Sequence, residues 1–318
     1  MTNFTWSELA FGSKKPLSSL KAIFIAAPRE ISVKRFTQFV KEYLPIAPIV
    51  VGIAAEDYID GFEFQPQFKT LQQKTIQSVI DKVNASATVH KIHSLTYQQR
   101  DLPFILEKVT FLKTVFVNGS WHHSFHTLPQ YYTLMNNRIP YTLVSPFSDE
   151  AEALQYEADI TKQIPEATVK KIMNETELML AADEVAKQSF DNGFQTGAVL
   201  AKKTKNGYQL IETGFNKVVP YQTFALLEGA SRERHFSPVN DLNHYDTIHA
   251  EMMLLTKMLS AQKSVKGLSL FVNLMPCPNC ARNLAETDIA EVVYRTDHSE
   301  GYAVQLFEKN HKKVRRLV

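Results

Sequence analysis

Three side chains in the second half of the chain have the types and spacing of metal ligands. Cys277 and Cys280 stand in Pro276-Cys277-Pro278-Asn279-Cys280, and His249 lies upstream in Ile248-His249-Ala250-Glu251. Two thiolates and an imidazole suit zinc, and zinc is tetrahedral, so three protein ligands leave one position open for water. Zinc lowers the pKa of such a water toward neutrality and makes a nucleophile available at physiological pH. Glu251 follows His249 too closely to be a comfortable second ligand on the same metal. It is well placed to take a proton from water and hand it to a leaving nitrogen. The competing interpretations are a structural zinc, or two buried free cysteines beside an unrelated histidine. A structural site would normally close its fourth position with protein, and the chain has only these 2 cysteines. The pattern therefore predicts a catalytic zinc site with ligands His249, Cys277 and Cys280 and Glu251 as the catalytic acid and base.

The order His-Ala-Glu followed by Pro-Cys-Pro-Asn-Cys is the H-x-E and P-C-x-x-C signature of zinc-dependent nucleobase deaminases. On these residues, roughly positions 170 to 318 resemble the cytidine and deoxycytidylate deaminase superfamily, and are most similar to dCMP deaminases. The close spacing of the two cysteines departs from the riboflavin-pathway deaminases, whose second cysteine comes several residues later. The resemblance implies hydrolytic deamination of a cytosine nucleotide, dCMP to dUMP with release of ammonia. It also implies that Asn216, in Thr213-Gly214-Phe215-Asn216, and the amide of Ala250 orient the substrate. The long stretch from Lys217 to Thr247 corresponds to an insertion that helps to bind the nucleotide in dCMP deaminases. Arg232 and Arg234 within it are candidate phosphate contacts, because a guanidinium fork matches a phosphate. Some relatives carry a second zinc there on Cys and His ligands, but this stretch contains no cysteine. Relatives of the dCMP type are commonly oligomeric and nucleotide-regulated, so a homo-oligomer with a small-molecule nucleotide partner is expected. Two alternatives stay open: a deaminase of another nucleotide, nucleoside or RNA base, and a non-catalytic nucleotide-sensing module. The presence of Glu251 weighs against the second.

These residues need a scaffold, and 318 residues are enough for two domains. With 44% hydrophobic and 21% charged residues the composition is that of a globular protein. A net charge of +2 creates no strong overall field, which disfavours nucleic acid as a partner. Both cysteines are used by the metal site, so no disulfide framework remains. Neither a leader pattern nor a run of eighteen apolar residues is found, and a soluble cytoplasmic protein without a membrane partner is expected.

The organisation expected from apolar periodicity is an arm over 1–19, a Rossmann-like α/β domain over 20–147, a connector over 148–166 and a zinc-dependent deaminase domain over 167–318. In the first domain, strands are predicted at Leu20–Ala27, Ile49–Ala54, Val89–Ile92, Thr114–Val117 and Tyr141–Val144. Helices are predicted at Val33–Leu44, Gln72–Val83, Leu102–Leu112 and Leu128–Asn136. Such alternation argues for a parallel sheet, whose ligands bind beyond the carboxyl ends of its strands. Ala27-Pro28-Arg29, Gly52 to Asp57 and Asn118-Gly119-Ser120 are the loops to examine. No glycine-rich phosphate motif accompanies them. The run Trp121-His122-His123-Ser124-Phe125-His126 is either a metal or anion site built on one helix face or a hydrogen-bonded loop. In the second domain a capping box at Asn174 and Glu177 opens a helix, followed by a hairpin of Gly197–Lys203 and Tyr208–Phe215. Helices at Ala250–Leu259 and Pro278–Glu286 flank a strand at Leu268–Asn273. A further strand, a helix and a last strand complete the α/β/α sandwich that the resemblance also implies. The basic tail, Lys309 to Arg316, reads as a guarded edge strand in preference to a nucleic-acid patch.

Overall fold

Apolar runs that are buried on two faces build the centre of each half of the chain. The computed structural model describes residues 3–167, 170–238, 241 and 243–318. It forms two compact units, the first made of Met1–Ile160 and Thr223–Asp246, the second of Thr161–Gln222 and Thr247–Val318.

The first unit begins with β1 (Asn3–Thr5), α1 (Trp6–Phe11), α2 (Lys15–Ser18), β2 (Ile23–Ala26), α3 (Val33–Tyr43), β3 (Ile49–Ala54) and α4 (Gln73–Ala85). It continues through β4 (Ile92–Tyr97), α5 (Leu102–Lys108), β5 (Lys113–Val117), α6 (Pro129–Asn137), β6 (Tyr141–Val144) and α7 (Glu150–Thr161). The six strands form one parallel sheet in the order β1-β4-β3-β2-β5-β6. Alternate residues of β2 enter different cores: Phe24 and Ala26 pack with Leu102, Ile105 and Phe116, and Ile23 and Ile25 with Phe36, Phe39 and Ile76. A strand covered on both faces has no polar side, which is why β2 and β3 are unbroken apolar runs. The winding runs outward from β2 through β3 to β4, then reverses through β5 to β6. This is the Rossmann-like arrangement expected, with its switch point between β2 and β5.

Local expectations fail at three places. The first residues are not an arm: β1 pairs with Ser94–Thr96, Ser94 Oγ donates to Asn3 Oδ1 at 2.8 Å, and Phe4, Trp6, Leu9 and Leu17 are buried in the core. The fourth strand is Ile92–Tyr97, whereas Val89 is 91% exposed. Its His93, Ser94 and Thr96 hide the apolar pattern, and Ser94 tolerates burial because Asn3 satisfies its hydroxyl. Helix α5 stops at Lys108, where Val109 turns extended. The histidine run lies in a loop, with His123 at φ 64, and its His126 is held at 2.9 Å on each ring nitrogen, by Glu233 Oε2 and by the Ser237 carbonyl. His122 and His126 share no helix face.

The second unit contains α8 (Glu175–Ala186), β7 (Gly197–Thr204), β8 (Gly207–Phe215) and β9 (Lys217–Val218). The chain then contributes α9 (Phe224–Glu228) and α10 (Ser231–His235) to the first unit. It resumes with β10 (Thr247–Ile248), α11 (Ala250–Ser260), β11 (Ser269–Leu274), α12 (Pro278–Ala285), β12 (Glu291–Thr296), α13 (Tyr302–Lys309) and β13 (Lys313–Arg316). Thr223–Asp246 was expected to lie within the second domain. It groups with the first because Leu226 is buried with Phe147 and Ala153, and Thr223 Oγ1 donates to the Ala153 carbonyl at 3.0 Å. Five strands form a mixed sheet in the order β13-β12-β11-β7-β8. One face packs Leu200, Leu270, Val272 and Val292 against Leu254, Leu284 and Phe307, from α11, α12 and α13. The other packs Val199, Phe271 and Val293 against Leu178 and Ala182 of α8. Helices on both faces of one sheet give the α/β/α sandwich expected. The expected capping box is present: Asn174 and Glu177 exchange backbone-to-side-chain bonds of 2.9 Å.

The basic tail is an edge strand parallel to β12. Arg315 Nε donates to Glu291 Oε1 at 2.7 Å and its Nη1 to Glu175 Oε2 at 2.8 Å, while Arg316 Nε donates to the Arg295 carbonyl at 2.8 Å. Arg315 holds the Glu175 carboxyl below its ordinary range. Burial pushes Glu291 up, but Arg315 and Lys313 outweigh it and leave that carboxyl low as well. Depressed carboxylates stabilise a fold above their unfolded pKa and lose that contribution as pH falls through the folded value. Arg315→Met is therefore expected to destabilise the protein by about 1–2 kcal/mol at neutral pH. The deficit should shrink at roughly pH 3.5, where the carboxylates protonate. Urea denaturation at the two pH values checks this, and an equal loss at both would contradict it.

Candidate active site

Each half of the metal-ligand set sits where a helix begins. His249 is the N-cap of α11, with φ −68 and ψ 151, and Cys277 is the N-cap of α12, with φ −61 and ψ 162. An extended N-cap turns its side chain back over the first turn of its own helix. Cys277 Sγ accordingly accepts from the Cys280 N–H at 3.5 Å. The same turn brings the Cys280 side chain beside it. His249 Nδ1 lies 3.5 Å from Cys277 Sγ and 3.4 Å from Cys280 Sγ. The three ligand atoms are all within 4.8 Å of one another, and among the described residues no other group of three His, Cys, Asp or Glu side chains does this. Tetrahedral bonds to zinc, about 2.3 Å to sulfur and about 2.0 Å to nitrogen, place sulfur and nitrogen about 3.5 Å apart. The donor set thus fits zinc in type and in spacing.

The electrostatics favour ligation. Two helix N-termini converge on the sulfurs, and their partial positive charge stabilises thiolate. The hydrogen bond with Cys280 holds the Cys277 thiol down to about 4, against the opposing effect of burial. Cys280 is pushed up by that same bond and by burial, so the first proton to leave the pair comes from Cys277. Burial pulls the His249 imidazole down, but its bond with Cys277 and the charge of Glu251 leave it above its ordinary value. Glu251, in the first turn of α11, is 3% exposed, and burial pushes its carboxyl up to about 7. A carboxyl poised there can give or take a proton at neutral pH.

Asn216 and Ala250, both expected to touch substrate, are bonded to each other. Asn216 is buried, its Oδ1 accepts from the Ala250 N–H at 3.1 Å, and its Nδ2 donates to the Phe194 carbonyl at 2.9 Å. The pair ties the end of β8 to the first turn of α11. Gly214 is needed for this approach, since a Cβ there would lie 2.6 Å from the Ala250 carbonyl oxygen. Two further residues feel the charges of the cluster: Asp191 acts on His249, and His298, in the turn after β12, feels Cys277 and His249. Neither Asp191 nor His298 stood among the site residues that the sequence motifs singled out. Arg232 and Arg234 group with the first unit. Arg232 is buried with its guanidinium 4.0 Å over the Tyr245 ring and its Nη2 donating to the Asp241 carbonyl at 3.3 Å. Arg234 Nη2 donates to the Glu228 carbonyl.

Residues 173–296 match the family described as the cytidine and deoxycytidylate deaminase zinc-binding region. The matched span contains His249, Glu251, Cys277 and Cys280, and the resemblance expected from the motif is borne out for the C-terminal half. An uncharacterized deaminase encoded in the luxG 3′ region of Aliivibrio fischeri is 28% identical over 128 residues, which are 40% of this chain and 76% of that protein. The deoxycytidylate deaminase of Enterobacteria phage T2 is 31% identical over 62 residues, 20% of this chain and 33% of the phage protein. Among solved structures, the dCMP deaminase of cyanophage S-TIM5 is 20% identical with a TM-score of 0.31, covering 45% of this chain and 96% of that one. Among the described residues no helix is long and apolar enough to cross a membrane.

The bonds of Asn216 make a prediction that separates support from substrate contact. Asn216→Ala strands the buried Ala250 N–H, at a cost of about 1–3 kcal/mol. A fall of about 1–3 kcal/mol in unfolding free energy is expected by urea denaturation. An unchanged midpoint would show that Asn216 supports nothing.

Proposed function

We propose that the second unit catalyses hydrolytic deamination of a cytosine nucleotide, and specifically the conversion of dCMP to dUMP with release of ammonia. The observation that carries this reading is the meeting of one imidazole nitrogen and two sulfurs at 3.4 and 3.5 Å, with a buried carboxyl raised to about 7 two residues beyond the imidazole. The family match over residues 173–296 supports deaminase chemistry. The choice of dCMP is supported by the names of relatives, among them the phage T2 deoxycytidylate deaminase and a probable deoxycytidylate deaminase of Drosophila melanogaster.

His249, Cys277 and Cys280 would hold the zinc. When bound, zinc supplies the Lewis acidity that makes water a nucleophile near neutral pH. Proton movement falls to Glu251. Its carboxylate takes a proton from the attacking water and delivers it to ring N3, then carries a second proton to the amino group on C4. One water enters and one ammonia leaves, with the oxygen of the water retained on C4. Burial serves this cycle by raising the Glu251 carboxyl, which favours its holding a proton for transfer to the leaving amino group. Asn216 acts as a positioning residue: it holds the first turn of α11, and with it Glu251, through the Ala250 N–H.

Glu251→Gln is expected to retain zinc and to lower turnover by about 10²–10⁴-fold. Metal analysis together with ammonia release checks both halves, and near-normal turnover would remove Glu251 from the mechanism. A panel of dCMP, CMP, dCTP, deoxycytidine, cytosine, guanine and short single-stranded RNA tests the substrate. Preferential turnover of dCMP is expected. Turnover of another compound with none of dCMP would overturn the substrate and keep the chemistry.

A further inference from the structure

Among the described residues Arg29 is the largest fully buried side chain, 1% exposed, and it stands just beyond the carboxyl end of β2 in the first unit. A buried guanidinium normally meets a carboxylate or a full set of acceptors, because a charge taken out of water without partners is costly. Arg29 meets neither. Its Nε donates to the Gly119 carbonyl at 3.0 Å and its face lies 5.5 Å from the centre of the Phe68 ring, while Nη2 makes no hydrogen bond of good geometry and among the described residues no carboxylate forms an ion pair with it. The hydroxyl of Tyr156, from α7, is buried and stands within hydrogen-bonding reach of the guanidinium, with no well-formed bond of its own. The phenol oxygen and the Gly119 carbonyl are thus the acceptors this buried guanidinium has at hand, and the phenol's own proton has none of good geometry.

The location gives that shortage of acceptors a meaning. Arg29 follows β2 and Gly119 follows β5, the two strands between which the winding of the sheet reverses. The loops are locked together there, as the Arg29 N–H donates to Ser120 Oγ at 3.2 Å. Open parallel sheets bind their ligands at this switch point, outside the carboxyl ends of the strands. A guanidinium fork and a phenol hydroxyl suit an oxyanion, and a phosphoryl group has enough acceptor oxygens for both. We infer that the first unit binds a phosphoryl-bearing small molecule at Arg29 and Tyr156, at the switch point between β2 and β5. This site is built without a glycine-rich phosphate loop, and it is separate from the deaminase chemistry.

The protein contains its own reporter. Its 2 tryptophans, Trp6 and Trp121, both lie in the first unit, and Trp121 directly follows Ser120. In full-length zinc-loaded protein carrying Trp6→Phe, intrinsic fluorescence then reports on Trp121 alone, and failure of the deaminase reading would leave the signal untouched. Titration with sodium phosphate, against sodium chloride at matched ionic strength, is followed by titration with ATP and dCTP. A saturable change is expected. Saturation by phosphate assigns the free anion, and a response to the nucleotides alone assigns a phosphoryl group carried on a nucleotide. Arg29→Met should raise the half-saturating concentration by roughly tenfold or more, and Tyr156→Phe by a smaller factor. Should Arg29→Met fail to fold, Tyr156→Phe decides. The absence of any saturable response in the parent protein, or variant curves that superimpose on it, would overturn the inference.

Discussion

His249 Nδ1, Cys277 Sγ and Cys280 Sγ meet because α11 and α12 begin at the same point in space. This is a demanding arrangement, since two helices that aim their N-termini together bring like partial charges into proximity. It becomes favourable when the residues at that point are thiolates, and more so when a cation joins the thiolates and imidazole. The sandwich is arranged to hold the two starts in place. β11 lies in the middle of the sheet, between β7 and β12, and leads through Met275 and Pro276 into Cys277. On the other side, the absence of a side chain at Gly214 lets β8 approach α11, and Asn216 then bonds the Ala250 amide. The ligands are therefore set by rigid elements, as catalytic geometry requires.

What the sequence made legible follows sequence separation closely. His249 and Glu251 stand at a helix start, as do Cys277 and Cys280, so local spacing was enough to single them out as candidates. Strands β2 and β3 were legible because burial on both faces leaves continuous apolar runs. β4 was displaced in the expectation because the partner that lets Ser94 be buried, Asn3, is 91 positions away. The same distance hid β1, whose apolar residues are too few to announce a strand alone. Asn216 was found as a residue but not as a support, since its bond to Ala250 spans 34 positions.

The segment from Thr223 to Asp246 illustrates the same limit at larger scale. Its sequence reads as an insertion beside the metal motif, and β9 and β10 do close it off as an antiparallel pair. Its side chains nevertheless find their partners in the first unit. Asn118 Nδ2 donates to the Leu226 carbonyl at 3.1 Å, and Glu233 accepts from the Phe125 and His126 backbone. Chain continuity and packing thus assign these residues differently, and only packing explains why Leu226 and Arg232 are buried. The two arginines expected to serve a phosphate belong to this segment. Arg29, the arginine proposed to meet an anion, lies instead in a loop that the strand pattern marked for examination without any phosphate motif.

The proposed chemistry needs three protein ligands on the metal and a fourth from outside the chain. X-ray absorption at the zinc edge of the purified protein tests that directly. The result predicted is one zinc per chain, with two sulfurs at about 2.3 Å and two nitrogen or oxygen neighbours at about 2.0 Å. One of those light neighbours should be exchangeable, shown by a change in the spectrum when a small anion such as azide is added. A metal-free protein, or a zinc with fewer than two sulfurs in its shell, would contradict the assignment of His249, Cys277 and Cys280.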